Sequence, residues 1–297
     1  MSLFKRVFFF LMTNIAVIAV ISVILSVFNV APYLSASGLN YQSLLIFSAL
    51  FGFTGSFVSL FISKWMAKRA FNIQIIQQPH SADEQFVFQT IQSLAQQASI
   101  GMPEVGIYDS PEANAFATGW NKNKALVAVS SGLLNAMEKE EVEAVLGHEI
   151  SHIANGDMVT LTLIQGVVNT FVIFFARIAA YAVQSFLSKD REDGIGTLAY
   201  TLTSIVFEIF FGILASIVVM AFSRKREFRA DSGSAKFLGK AKMIRALQKL
   251  ELLQNQIADT RGKAFATMKI SDKPSPFLSL FSSHPPLKDR IKALELQ

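Results

Sequence analysis

Four long apolar runs, at about residues 7–28, 44–62, 159–187 and 198–222, constrain this chain more than any other feature of its sequence. Each is long enough, or nearly so, to cross a bilayer. No water reaches the hydrocarbon to satisfy a backbone N–H or C=O, so each run must close its hydrogen bonds internally as a helix. Composition agrees: with 52% hydrophobic and 16% charged residues, the 297-residue chain is too apolar for an ordinary soluble domain. The sequence predicts a mainly α membrane protein with four apolar helices. The first run follows Lys5-Arg6 and exceeds the apolar core of a signal peptide, so it reads as an uncleaved span.

Flanking charges orient these helices. Lys64, Lys68 and Arg69 follow the second run and Arg224, Lys225 and Arg226 follow the fourth, whereas residues 29–43 carry no charge. The positive-inside bias then puts both termini in the cytoplasm, with the last two runs forming a hairpin through the polar link 188–194. The net charge of +5 is explained by the membrane and needs no nucleic-acid partner. Ser48, Gly52 and Ser56 recur every four residues in the second run, a small-residue face read as packing on the first. Gln165 with Asn169, and Ser204, Glu208, Gly212 and Ser216, form polar stripes that meet protein or water; helix-packing contacts explain them, and so does a substrate-lined cavity. Arg177 and Glu208, the charges within the last two runs, have opposite sign. A break at Asn155-Gly156 brings them level as an ion pair; otherwise both line a wet cavity.

Between the second and third runs the chain turns soluble in character. Ser81-Ala82-Asp83-Glu84 opens a helix whose Phe88, Ile91, Leu94, Ala95 and Ala98 share one face, stopped by Gly101 and Pro103. Val105–Tyr108 and Ala125–Val129 read as strands, which makes a small α+β unit. Asn114, Ala115, Phe116 and Ala117 lie between them, placed to form an edge strand that binds an extended peptide backbone; an ordinary surface hairpin fits the pattern as well.

That unit ends in residues 140–157, EEVEAVLGHEISHIANGD. Val142, Val145, Leu146 and Ile150 form a helical apolar stripe, and Asn155-Gly156 is a stop signal. Four residues advance a helix by about 400°, so His148 and His152 share a face and can reach one ion. Glu149 lies about 100° round, beside that ion and free to take a proton from water. Two neutral imidazoles with an adjacent carboxylate is the pattern of a zinc peptidase helix. The chain has no cysteine, so a metal takes nitrogen and oxygen ligands, and nothing implies an oxidising compartment.

A catalytic zinc needs a third protein ligand. Glu192 falls across the membrane, Glu208 within it, and Glu251 has no neighbouring carboxylate, which leaves Glu227 just after the fourth run. Asp231, one turn further on, is placed to accept the other ring N–H of a ligand histidine. Both acids could instead pair with the surrounding arginines. Residues 260–276, rich in small, charged and proline residues, read as a loop. His284-Pro285-Pro286 then starts a helix with Leu287, Ile291 and Leu294 buried and Arg290 half-buried beside them, in need of Asp231 or Glu227. His284 is either a donor to a tetrahedral oxyanion or a turn residue. No G-x-x-x-x-G-K-[ST] loop is present, so no ATP site is expected.

The segments GHEISHIANGDMVT at 147–160, SRKREFRADSGSAKFLG at 223–239, NAFATG at 114–119 and SSHPPLKDRI at 282–291 resemble the HtpX family of heat-shock membrane metalloproteases, relatives of the CaaX prenyl proteases. The resemblance covers nearly the whole chain. It implies a gluzincin-like zincin domain, cytoplasmic and split by the second hairpin. Residues 1–66 form a membrane hairpin, 67–157 and 223–297 the two parts of the catalytic domain, and 158–222 the second hairpin. It also implies one Zn2+ per chain, held by His148, His152 and Glu227 with Glu149 as base. The implied role is cleavage of misfolded or unfolded membrane proteins in a bacterial inner membrane under stress. The rival reading is a membrane scaffold or transport-related protein with a structural metal site, in which Glu149 has no task.

Overall fold

The computed structural model describes residues 40–187, 197–264, 280 and 282–297. The apolar run at 7–28, the link 188–194 and the stretch 265–276 lie outside the described residues. Among the described residues, helices follow where the apolar runs predict them: α1 is Tyr41–Ala70, and seven further elements carry the soluble portion before the next long helix. Strand β1 is Gln74–Ile75, helix α2 Ala82–Gln97, β2 Glu104–Tyr108, β3 Ala115–Thr118 and β4 Leu126–Ser130. Then come α3, Ser131–Ala136; α4, Lys139–Asn155; α5, Asp157–Leu187; α6, Thr197–Leu238; α7, Lys240–Ala264; and α8, Leu287–Glu295. Of the loop expected over 260–276, the part up to Ala264 is helical, as the last turn of α7.

Three of these helices, Tyr41–Ala70, Asp157–Phe186 and Ala199–Leu238, are long and apolar enough to cross a membrane. The described residues form two compact units, one running up to Val58 and including Leu161–Val219, the other comprising Ser59–Thr160 and Met220–Gln297. In the first unit α1 lies against α5. A Cβ on Gly52 would stand 2.7 Å from the Thr170 backbone nitrogen, and one on Gly166 would strike the Phe53 ring at 2.5 Å. Among the described residues the small-residue face of α1 packs on the third apolar run, since two facing glycines let these backbones touch; the first run, on which the sequence placed this face, lies outside the described residues. Asn169 donates to Ser56 Oγ at 3.3 Å and Gln165 donates to Asn169 at 2.7 Å, so that polar stripe is packing. Arg177 Nη2 lies 3.6 Å from Glu208 Oε1, an ion pair between α5 and α6.

The second unit is built on a four-stranded sheet in the order β1-β2-β4-β3. β2 and β4 pair in parallel, while β1 and β3 pair antiparallel at either edge. β4 is buried at every position, Leu126 to Ser130, which is why it reads as an unbroken apolar run. Helix α2 starts at a capping box: Ser81 accepts from the Glu84 N–H at 3.1 Å, and the Glu84 carboxylate accepts from His80 N at 2.7 Å and Ser81 N at 3.4 Å. Ile91 and Leu94 from α2, Val127 and Val129 from β4, Leu146, Ile150 and Ile153 from α4, Met243 and Leu247 from α7 and Leu294 from α8 share one core. Burying α4 on this core fixes which of its faces remains for chemistry.

Candidate metal centre

Helix α4 begins with the Glu138 N–H donating to the Glu141 carboxylate at 2.9 Å. It ends at Gly156, whose φ of 70° is the left-handed turn that glycine adopts without strain. The Gly156 turn lets α5 start at once with Asp157. His148 and His152 project from one face of α4 and are 6% and 9% exposed. Their Nε2 atoms lie 3.1 Å apart.

Glu227 comes to them from the last third of α6 and is 1% exposed. Its Oε1 is 3.2 Å from His152 Nε2 and its Oε2 is 3.4 Å from His148 Nε2. These three residues form a group that could hold a metal ion. The separations match the edge, about 3.3 Å, of a tetrahedron with metal–ligand distances of 2.0–2.1 Å. Each imidazole is oriented from behind. His148 Nδ1 meets Asp231 Oδ1 at 2.8 Å, and His152 Nδ1 meets Asp157 Oδ2 at 2.7 Å. Both hydrogen bonds place the ring proton on Nδ1 and turn the Nε2 lone pairs towards Glu227.

Arg290 from α8 clasps Asp231 with Nη2 at 2.6 Å and Nε at 2.8 Å, and its Nη1 lies 3.5 Å from Glu227. It is buried rather than half-buried, because both carboxylates compensate it. Arg229 donates to Asp157 at 3.0 Å from the exposed side. His284 brings Nδ1 to within 2.7 Å of Glu227 Oε2, and its side chain is largely exposed. Arg224 holds the approach to His284 by donating to the Leu280 and Ser282 carbonyls, both at 2.9 Å.

Burial disfavours charged imidazoles, yet the hydrogen bonds to Asp231 and Glu227 raise the His148 pKa, and those to Asp157 and Glu227 raise that of His152 to about 9. Burial likewise works against charge on Glu227 and Asp231. The imidazoles nonetheless hold Glu227 well below the carboxylate range, and Arg290 and His148 do the same for Asp231. With neutral imidazoles, three buried carboxylates, Asp157, Glu227 and Asp231, face one buried guanidinium, Arg290. Arg229 offsets Asp157 from the exposed side, and the negative charge that remains has the sign a bound cation neutralises.

Glu149 stands half-buried on α4 between these groups and the sheet, close enough for its charge to raise the pKa values of His152 and Arg290. β3 packs beside α4. Asn114 and Ser130 are joined backbone to backbone at 2.9 Å, so alternation along the antiparallel pair turns the N–H and C=O of Ala115 and Ala117 away from β4. Phe116 bonds inward to Ala128 and its ring packs on Tyr108 and Phe71. The structure thus brings together His148, Glu149, His152, Glu227, Asp231, His284 and Arg290, with Asn114–Ala117 on the neighbouring sheet edge. Asp157 was not anticipated. Its signal was an acid directly after a glycine stop, close behind the second histidine.

A buried pair of helix-borne imidazoles with a carboxylate from a second helix, in a chain with membrane-length helices, defines a membrane-bound metallohydrolase. The model of Peptidase family M48 matches residues 81–297. The chain is 56% identical to Protease HtpX of Tolumonas auensis over 98% of each chain, and 50% identical to the Protease HtpX homolog of Methylacidiphilum infernorum over 99% of each. The crystal structure of S. mikatae Ste24p shares the fold with a TM-score of 0.62 at 20% identity, covering 93% of this chain and 66% of that one. The chain belongs to peptidase family M48, among the HtpX proteases, and is a membrane metalloprotease acting on polypeptides. Membership in a peptidase family does not favour the scaffold reading.

Proposed function

We propose that the chain is a zinc-dependent endopeptidase that cleaves misfolded or damaged membrane proteins in a bacterial inner membrane. Its zincin-like catalytic domain is formed by 67–157 with 223–297, split by the hairpin 158–222 and cytoplasmic. A further span at 7–28 precedes them. The observation that carries the reading is the convergence of His148 Nε2, His152 Nε2 and the Glu227 carboxylate, with Glu149 beside them but outside the donor set. Donor chemistry fits zinc: two imidazole nitrogens and one carboxylate, each held in place by a further hydrogen bond. One ion is held per chain. Bound there, zinc supplies Lewis acidity to the scissile carbonyl and makes water acidic enough to attack near neutral pH.

The chain's own groups do the rest. Ala115 and Ala117 offer backbone N–H and C=O groups at a sheet edge, so a substrate between Asn114 and Ala117 pairs as an added strand without its sequence being read. Glu149 takes the proton from the attacking water and returns it to the leaving amine, which departs neutral. Asp231 and Asp157 hold the ligand imidazoles in the productive tautomer, and Arg290 keeps Asp231 ionised. His284, with Nδ1 on Glu227, donates from Nε2 to the oxyanion when doubly protonated.

The test is chelation. Purified full-length protein in detergent, stripped of metal, should stop cleaving an unfolded membrane protein and recover on addition of stoichiometric zinc. Cleavage at the untreated rate by metal-free protein would overturn the reading.

A further inference from the structure

Among the described residues the sheet has a second unpaired edge, at β1, on the side remote from β3. Ile76 N–H donates to Val105 C=O at 2.9 Å, so residue 76 is turned towards β2. In an antiparallel pair these directions alternate, which turns the N–H and C=O of Ile75 outward. The chain bends at Gln77 and Gln78. Between this edge, the start of α2 and helix α3 lies a cavity of about 750 Å³. Ile75, Ile107 and Leu134 form its apolar lining, while Gln74, Gln77, Gln78 and Asn135 supply side-chain amides that both donate and accept.

The cavity is distinct from the metal centre, since none of the metal-ligating residues or Glu149 lines it. Its charge is one-sided. Asp83 and Glu84 line it beside His80, and among the described residues no lysine or arginine does, on a protein whose net charge is +5. A strand edge, a volume of side-chain size and amides without sequence demands suit an extended polypeptide, as in strand addition. The acidic rim selects lysine and arginine. Cytoplasmic flanks of membrane proteins are rich in both.

We propose that the β1 edge and its cavity form a second substrate-binding site, which captures the basic cytoplasmic flank of a membrane-protein substrate as an extended strand. The proposal rests on the substrate class and cytoplasmic orientation proposed above. With strands about 4.8 Å apart, peptides added outside β1 and outside β3 lie about five spacings, about 24 Å, apart, so at least about seven extended residues must separate the captured flank from the bond cleaved at the metal centre. Capture at β1 would hold a long unfolded chain near the site, without ATP, while it is cut.

The experiment is fluorescence anisotropy with the full-length Glu149→Gln protein in neutral maltoside detergent, so that neither turnover nor anionic lipid contributes. Three labelled ten-residue peptides of high β propensity are compared: one rich in lysine and arginine, one with aspartate and glutamate in their place, and the basic peptide N-methylated at alternate residues. The basic peptide should bind at least tenfold more tightly than the acidic one, and N-methylation should weaken it at least tenfold. Asp83→Lys puts a positive charge beside Glu84 and so takes the rim from two negative charges to none net; it should abolish the preference for the basic peptide while keeping the penalty of N-methylation, whereas a misfolded variant would lose both. Equal binding of basic and acidic peptides, or an unchanged preference in Asp83→Lys, would overturn the proposal. Loss of cleavage by the parent with zinc, beside binding as described, would instead overturn the peptidase mechanism and leave the β1 site standing.

Discussion

Asp157→Ala tests how the metal site is held. Asp157 is fully buried and accepts from His152 Nδ1 at 2.7 Å, so its loss leaves that N–H without an acceptor beside a ring that is 9% exposed. Removing a partner of this kind weakens metal binding by about 10 to 100-fold, roughly 1.4–2.7 kcal/mol. The stranded donor adds about 1–3 kcal/mol of lost folding stability. Arg229, the other partner of Asp157, keeps 61% of its side chain in solvent and returns to water with little penalty. Asp231→Ala differs in kind, because it also strands Arg290, which is 6% exposed and clasped by two hydrogen bonds to that carboxylate. Breaking such a buried pair costs about 3–5 kcal/mol. Competition with a zinc indicator should therefore show both variants weakened, and melting of the metal-free proteins in detergent should place Asp231→Ala well below Asp157→Ala. Parent-like zinc affinity in Asp157→Ala, or the reverse order of melting, would refute this reasoning.

Glu227→Ala should lose both zinc and activity, because it deletes the donor facing both imidazoles; stoichiometric zinc held as tightly as in the parent would exclude Glu227 as a ligand. Metal-free protein should lose stability as pH rises. His152 is raised from 6.5 to about 9 on folding, so its contribution, about 3 kcal/mol, is fully present below 6.5 and lost as pH passes about 9. A melting temperature flat from pH 6 to 10 would contradict the buried His152–Asp157 pair. Arg177→Glu and Glu208→Arg should each lower stability in detergent and the double variant should recover part of the loss, whereas strictly additive losses would dismiss the 3.6 Å ion pair.

Helical features were the most legible in the sequence because their periods are long and redundant. α4 announces itself by its apolar stripe, its acidic first turn and Gly156, and the four-residue spacing of His148 and His152 then determines that they converge. Glu227 lies 75 residues beyond His152, but a donor count and the exclusion of other glutamates lead to it. Asp157 is nearer in sequence and was harder to find. Its role exists only because the left-handed turn at Gly156 folds the start of α5 back onto α4. The packing of the Ser48–Gly52–Ser56 face on α5 was not legible either, since a small-residue stripe says that a helix approaches but does not name every helix that does. β1, two residues long, carries no period at all and is defined only by its pairing with β2.

The central claim is that Glu149 handles the proton while His148, His152 and Glu227 hold the metal. Glu149→Gln, purified in detergent beside the parent, isolates that division of labour. Metal analysis and cleavage of one unfolded membrane protein should be measured on the same samples. One zinc per chain in both proteins, with cleavage by the variant reduced at least about 100-fold, is the predicted result. Equal cleavage by the two proteins at equal zinc content would contradict it.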